Sequence, residues 1–200
     1  NQFDTIYHEH YSYLSLNFIN RLCKSNNLFI TQVEKLNTHG GSLRVWITPN
    51  KESKINDSVY EILDEERNYD LEDIDTYNQF ENNARKIKYY LLNYLINNKK
   101  NENVVIGYGA AAKGNTLINF AGVKTGIQYV ADAAQAKQKK FLPGSHIPIC
   151  PPEKMINEPV DYIIIFPWNI ADEIKNDLRQ RIHYETQFVT FIPELLIEKI

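Results

Sequence analysis

Cysteine is scarce in this sequence. Its 200 residues include only Cys23 and Cys150, far apart and without a Cys-x-x-Cys pair, so neither a zinc knuckle nor a disulfide framework is indicated. A reduced, cytoplasmic setting is expected. No apolar run approaches the roughly 20 residues of a spanning helix, so no membrane partner is expected. Charge of one sign is not in excess either. Twenty-two Lys and Arg against 25 Asp and Glu leave −3, which excludes the basic field of a nucleic-acid binder. The chain opens at Asn1 instead of Met, with no basic segment followed by an apolar stretch, and so reads as a piece of something longer. What remains is an ordinary globular balance, 43% hydrophobic and 24% charged, which excludes wholesale disorder. The length suits one domain, or one domain with part of another.

Three regions separate by pattern. In residues 1–50, Phe3–Tyr7 is a short β-like run, and Tyr11–Lys24 has helical spacing through Leu14, Phe18 and Leu22. Leu28–Leu36 and Ser42–Thr48 read as two strands joined by a Gly-Gly loop, most simply an antiparallel pair. Residues 51–100 contain no glycine or proline. They read as a charged connector, with one or two helical turns around Val59–Leu63, and then one long helix whose stripe is Ile74, Tyr77, Phe80, Ala84, Ile87, Leu91 and Leu95. Residues 101–200 alternate strand and helix: Val104–Ile106, Lys113–Ala121, Ile127–Ala131, Ile147–Ile149, Tyr162–Phe166, Ile170–Arg181 and Phe188–Ile192. This pattern predicts an α/β fold, a Rossmann-like parallel sheet with helices on both faces and right-handed crossovers.

Gly107-Tyr108-Gly109-Ala110-Ala111-Ala112 fits G-x-G-x-x-A between a strand and a helix. Small residues there let a phosphate approach backbone amides at the helix start. Asp132 follows the second strand, where a ribose-binding carboxylate sits in dinucleotide folds. The loop is not a Walker A motif, because Lys113 precedes Gly114. The plainer reading is that a tightly packed strand–helix turn needs glycine and alanine for packing alone.

Tyr7, His8, Glu9, His10, Tyr11 and Tyr13 bring two imidazoles, a carboxylate and three phenols into seven residues. Histidine suits proton transfer near neutral pH, and a neighbouring carboxylate can orient the ring. His-x-His could chelate a metal, but no third or fourth ligand stands at a recognisable spacing, and no metal is expected. An ordinary surface loop is the bland alternative.

The run Phe3-Asp4-Thr5-Ile6-Tyr7-His8-Glu9-His10-Tyr11-Ser12-Tyr13 resembles the signature of the S-adenosylmethionine-dependent sugar C-methyltransferases, the TcaB-like enzymes that methylate C3 of nucleotide-linked deoxysugars. Four later segments resemble family segments in family order. They are His39-Gly40-Gly41-Ser42-Leu43-Arg44, Gly107–Thr116, Pro143–Ile149 and Pro167-Trp168-Asn169. The resemblance implies a three-part enzyme with an N-terminal zinc-binding domain, a middle class I methyltransferase domain and a C-terminal Rossmann-like domain that holds the sugar nucleotide. By that resemblance residues 1–50 are the last helix and strand pair of the middle domain, 51–100 a connector, and 101–200 the C-terminal domain. Zinc and most of the S-adenosylmethionine site would then lie outside this chain, and no residue here is assigned to that cofactor. The exposed strand pair would favour self-association as a homodimer.

The resemblance also implies roles. A 4-keto group acidifies the neighbouring ring C–H, and His10 corresponds to the proposed base that removes the proton, with Tyr7 and Glu9 positioning sugar and imidazole. Candidate substrate contacts are Gly107, Gly109, Lys113, Asn115, Asp132, His146, Trp168 and Arg44. Trp168 suits either stacking on a ring or core packing, and Arg44 suits either an anion contact or an ordinary exposed strand position. Two other functions fit part of the pattern: a nicotinamide-dependent oxidoreductase, from the glycine turn and Asp132, and a non-catalytic nucleotide-sugar binding module.

Overall fold

The computed structural model describes residues 3, 10–38 and 41–200. They divide into two compact units, a smaller one within His8–Glu81 and a larger one formed by Asn82–Ile200 with Phe3.

In the smaller unit, helix α1 spans Leu16–Ser25. The helical spacing begins at Tyr11, but the helix itself starts five residues later. Ser15 ends the extended approach, and its hydroxyl accepts the Phe18 N–H at 3.1 Å. The Glu66 carboxylate accepts the Leu16 and Asn17 N–H groups at 2.6 and 2.7 Å, satisfying two more of the amides a helix start leaves open. Strands β1 (Phe29–Leu36) and β2 (Ser42–Thr48) pair antiparallel, with Glu34 opposite Arg44. Helix α2 (Asp57–Asn68) is a full twelve-residue helix where the sequence suggested a turn or two. Asn56 caps it through the Ser58 N–H, and Val59 and Ile62 fasten it to the core. That core is Leu16, Cys23, Ile30, Val33, Val59 and Ile62. Cys23 is buried there as a small apolar side chain.

Helix α3 (Ile74–Lys100) is the long helix expected from the stripe, but the core covers only its second half. Ile87, Leu91 and Leu95 are buried, whereas Ile74, Tyr77 and Phe80 are exposed.

The larger unit continues with β3 (Val105–Tyr108), α4 (Ala112–Ala121), β4 (Val130–Ala131), β5 (Ile149–Cys150), α5 (Pro152–Asn157), β6 (Tyr162–Ile165), α6 (Ala171–Arg181), β7 (Gln187–Thr190) and β8 (Leu196–Lys199). Among the described residues these strands form one sheet in the order β5-β4-β3-β6-β7-β8, parallel except for β8. The first strand of the unit is central, the next two lie to one side and the later three to the other. That is the doubly wound Rossmann order, with its reversal between β3 and β6. Alternate residues feed opposite faces. Val105 and Ile164 pack with Ile87, Leu91, Leu117 and Ile118 of α3 and α4, while Ile106, Ile163 and Ile165 pack with Met155 of α5 and Leu178 of α6. The sheet is covered on both sides, as the alternating pattern required.

Strand β8 has no counterpart in the sequence reading. It is a short, largely exposed edge strand without an apolar alternation. Glu198 fixes it by pairing with the buried Lys175 of α6, and Arg179 adds a contact at 3.4 Å.

Candidate functional site

In an open α/β sheet the crevice for a ligand opens at the carboxyl ends of the two strands where the order reverses. Here these are β3, which runs into Gly109-Ala110-Ala111, and β6, which runs into Phe166-Pro167-Trp168-Asn169.

The glycines of the turn are shaped by the β6 side of that crevice. A side chain on Gly107 would run into the Phe166 ring, and one on Gly114 would stand 2.6 Å from Cβ and Cγ of Phe166. Gly109 has φ +84°, and its open side is covered by the Pro167 ring. All three glycines are therefore required by protein packing, whatever else they serve.

Polar groups gather at the start of α4. Ala111, at its N-cap, makes no side-chain cap hydrogen bond. The Lys113 ammonium donates to Asn169 Oδ1 at 2.7 Å and stands 5.5 Å from the centre of the Trp168 ring. This joins α4 to the turn after β6. The Trp168 indole packs partly against the core, and its N–H and Asn115 Oδ1 are buried with no hydrogen-bond partner among the described residues. Tyr108, between the two glycines, belongs to the opposite face with α5 and α6. Burial, and next the Asp177 charge, push its phenol pKa above the ordinary value, so it stays a neutral hydrogen-bonding group.

Asp132 is buried beside the turn. Its Oδ2 accepts the Ala110 N–H at 2.7 Å and the Lys137 ammonium at 3.2 Å, while Oδ1 accepts the Ala134 N–H at 2.8 Å. Lys137 also donates to the Ala110 carbonyl at 3.0 Å.

The remaining candidates stand elsewhere. His146 is exposed on a loop tied to the far end of α4, where Asn119 donates to the Pro143 carbonyl at 2.9 Å and Lys124 to the Gly144 carbonyl. Arg44 lies on β2 of the smaller unit, paired with Glu34 at 2.8 Å and 5.9 Å from the Trp46 ring centre. His10 is exposed in the smaller unit, ahead of the Ser15 cap. Tyr7 and Glu9 lie outside the described residues, as do His39 and Gly40. Asn169 entered the sequence reading only within the Pro167-Trp168-Asn169 segment, without a role of its own, and Lys137 did not enter it. Asn169 carried a signal, since it adjoins Trp168 at the carboxyl edge of the strongest strand. Lys137 carried none, because only the fold of residues 132–138 brings it to the turn.

Two comparisons bear on this geometry. The C-methyltransferase C-terminal domain family matches residues 37–193, which includes the glycine turn, the Pro143–Pro148 loop and the Pro167-Trp168-Asn169 turn. The chain belongs to that family. It is also 34% identical over 196 residues to C-methyltransferase NovU of Streptomyces niveus, covering 97% of this chain and 47% of that protein. The chain thus spans about half the length of this relative. Among the described residues no helix is long and apolar enough to cross a membrane, and no group of three or more His, Cys, Asp or Glu is placed to hold a metal ion.

Proposed function

We propose that this chain is the substrate-holding part of an S-adenosylmethionine-dependent methyltransferase that acts on a ring carbon of a nucleotide-linked 4-keto-deoxysugar. The observation that carries the nucleotide part of this reading is the convergence of Lys113, Asn169 and Trp168 on the uncapped start of α4 at the reversal of strand order. A diphosphate there meets an ammonium and the positive end of a helix dipole, and a flat ring meets an indole.

The chemistry asks for a carbon nucleophile. The 4-keto group makes the adjacent C–H acidic, and His10 takes that proton. In this reading Tyr7 and Glu9 hold the sugar and the imidazole. S-adenosylmethionine supplies the methyl group when bound. The residues of the larger unit do not suit its adenosine, because the carboxylate that would hold a ribose is engaged with Ala110, Ala134 and Lys137. No residue of this chain is assigned to that cofactor.

The test is transfer of labelled methyl from S-adenosylmethionine to a nucleotide-linked 4-keto-6-deoxyhexose by the whole enzyme, with the product carbon located by NMR. A C-methylated sugar is the expected product. Methylation at oxygen, or of no sugar at all, would overturn the reading.

A further inference from the structure

We propose that Lys139 and Lys140 form an electrostatic guide, which draws the diphosphate of a nucleotide toward the glycine turn. This rests on the nucleotide-sugar reading above. Charge is spread unevenly along the chain. Residues 103–152, which build β3, α4, β4 and β5, carry five lysines and a single acidic residue, Asp132, in a chain whose net charge is −3. Three of those lysines stand together in Lys137-Gln138-Lys139-Lys140. Lys137 reaches the turn itself, at the Ala110 carbonyl and Asp132. Lys139 and Lys140 are exposed, and among the described residues neither ammonium has an ion pair or a hydrogen-bond partner. The acidic residues of α5 are engaged elsewhere, Glu158 with Lys154 at 2.7 Å and Glu153 with Arg181 at 4.0 Å.

The loop that carries the two charges is fixed to the sheet. The Lys139 N–H donates to the Ile149 carbonyl at 2.9 Å and the Ile149 N–H to the Lys140 carbonyl at 2.8 Å, while the Gln138 amide donates to the Asp132 carbonyl at 3.0 Å. Ile149 lies opposite Val130, and Val130 opposite Gly107. At one strand spacing per step, the backbone of the lysines stands about 15 Å from the glycine turn. That is between one and two screening lengths at physiological salt, and about half of one at 0.01 M. A charge at this range shapes the approach of an anion more than its final contacts. Lysines on a sheet edge also discourage pairing with another chain, a role that leaves ligand association untouched.

The experiment is stopped-flow fluorescence with mant-UDP, a fluorescent nucleoside diphosphate, which reads association and dissociation rates separately. At about 20 mM salt, Lys139→Gln/Lys140→Gln should associate about three- to tenfold more slowly than the wild-type chain, with dissociation within about twofold. At about 200 mM salt the wild type should slow and most of the gap should close. Lys139→Arg/Lys140→Arg, which keeps both charges, should associate as the wild type does. Lys99→Gln/Lys100→Gln removes the same charge from the exposed end of α3, ahead of β3, and should change the association rate by less than about twofold. Equal slowing by the α3 pair would reduce the effect to net charge and overturn the proposal. Faster dissociation with unchanged association would make the lysines direct contacts, and would overturn it too. If the wild type binds no mant-UDP, the nucleotide-sugar reading fails and the guide fails with it. Saturable binding whose association ignores both lysines would refute the guide alone.

Discussion

Gly114 lies directly against Phe166. A Cβ at residue 114 would fall 2.6 Å from both Cβ and Cγ of the phenylalanine, atoms that cannot swing aside as the tip of a long side chain can. Phe166 is 1% exposed and follows the central strand β6. The contact holds the first turn of α4 close to the sheet, and with it Lys113.

Gly114→Ala is therefore expected to destabilise the larger unit by about 1–3 kcal/mol through overpacking. The sign is informative, because alanine in an open helix position stabilises by about 1 kcal/mol relative to glycine. Denaturant midpoints of wild type and variant check it. A more stable variant would mean that α4 is free to lift from the sheet.

Lys175 and Glu198 give a pH-dependent expectation. The Glu198 carboxyl is held below its usual value of 4.5, chiefly by the hydrogen bond from Lys175, with burial opposing and the Lys175 and Arg179 charges adding. A carboxyl lowered in the folded state contributes its full stabilisation above the unfolded pKa and loses it as pH falls through the folded value. Glu198→Gln should cost about 1–3 kcal/mol at pH 7, less than a fully buried pair because Glu198 is 32% exposed on its side chain. The difference from wild type should shrink as the pH is lowered below 4.5. Urea unfolding at pH 7 and in this acidic range reads both effects, and a constant difference across pH would refute the assignment.

For His10, replacement by Gln in the whole enzyme should lower methyl transfer by about 100-fold or more, the range of a lost general base, with nucleotide-sugar affinity little changed. Steady-state kinetics and a binding titration separate the two quantities. Turnover within a few fold of wild type would remove His10 from the role of base.

The parts of the fold that were legible in the sequence are those where one physical signal dominates. The run Tyr162–Ile165 could only be a strand covered on both faces, and it lies between β3 and β7. The stripe of α3 announced a helix. It could not announce where the core stops, since Phe80 and Ile87 look alike in spacing while one is exposed and the other buried. Strand β8 and most of α2 were hidden because their stability comes from partners remote in sequence, Lys175 for the one and the Leu16–Val33 core for the other. The glycine turn was visible, but its packing against Phe166 and Pro167 was not, and neither was the engagement of Asp132. Both depend on which strand follows β3 in space, and no local pattern encodes that.

The most direct measurement is calorimetric titration of this chain with dTDP-glucose and UDP-glucose, stable analogues of a nucleotide-linked ketosugar, for the wild type and Lys113→Ala, with NADH as the counter-ligand. Saturable binding of a sugar nucleotide is expected, weakened about tenfold by Lys113→Ala through loss of a charge-assisted contact to the diphosphate, with no comparable binding of NADH. Binding of NADH in preference to both sugar nucleotides, or sugar-nucleotide affinity unchanged in Lys113→Ala, would contradict the placement of the substrate at the β3–β6 crevice.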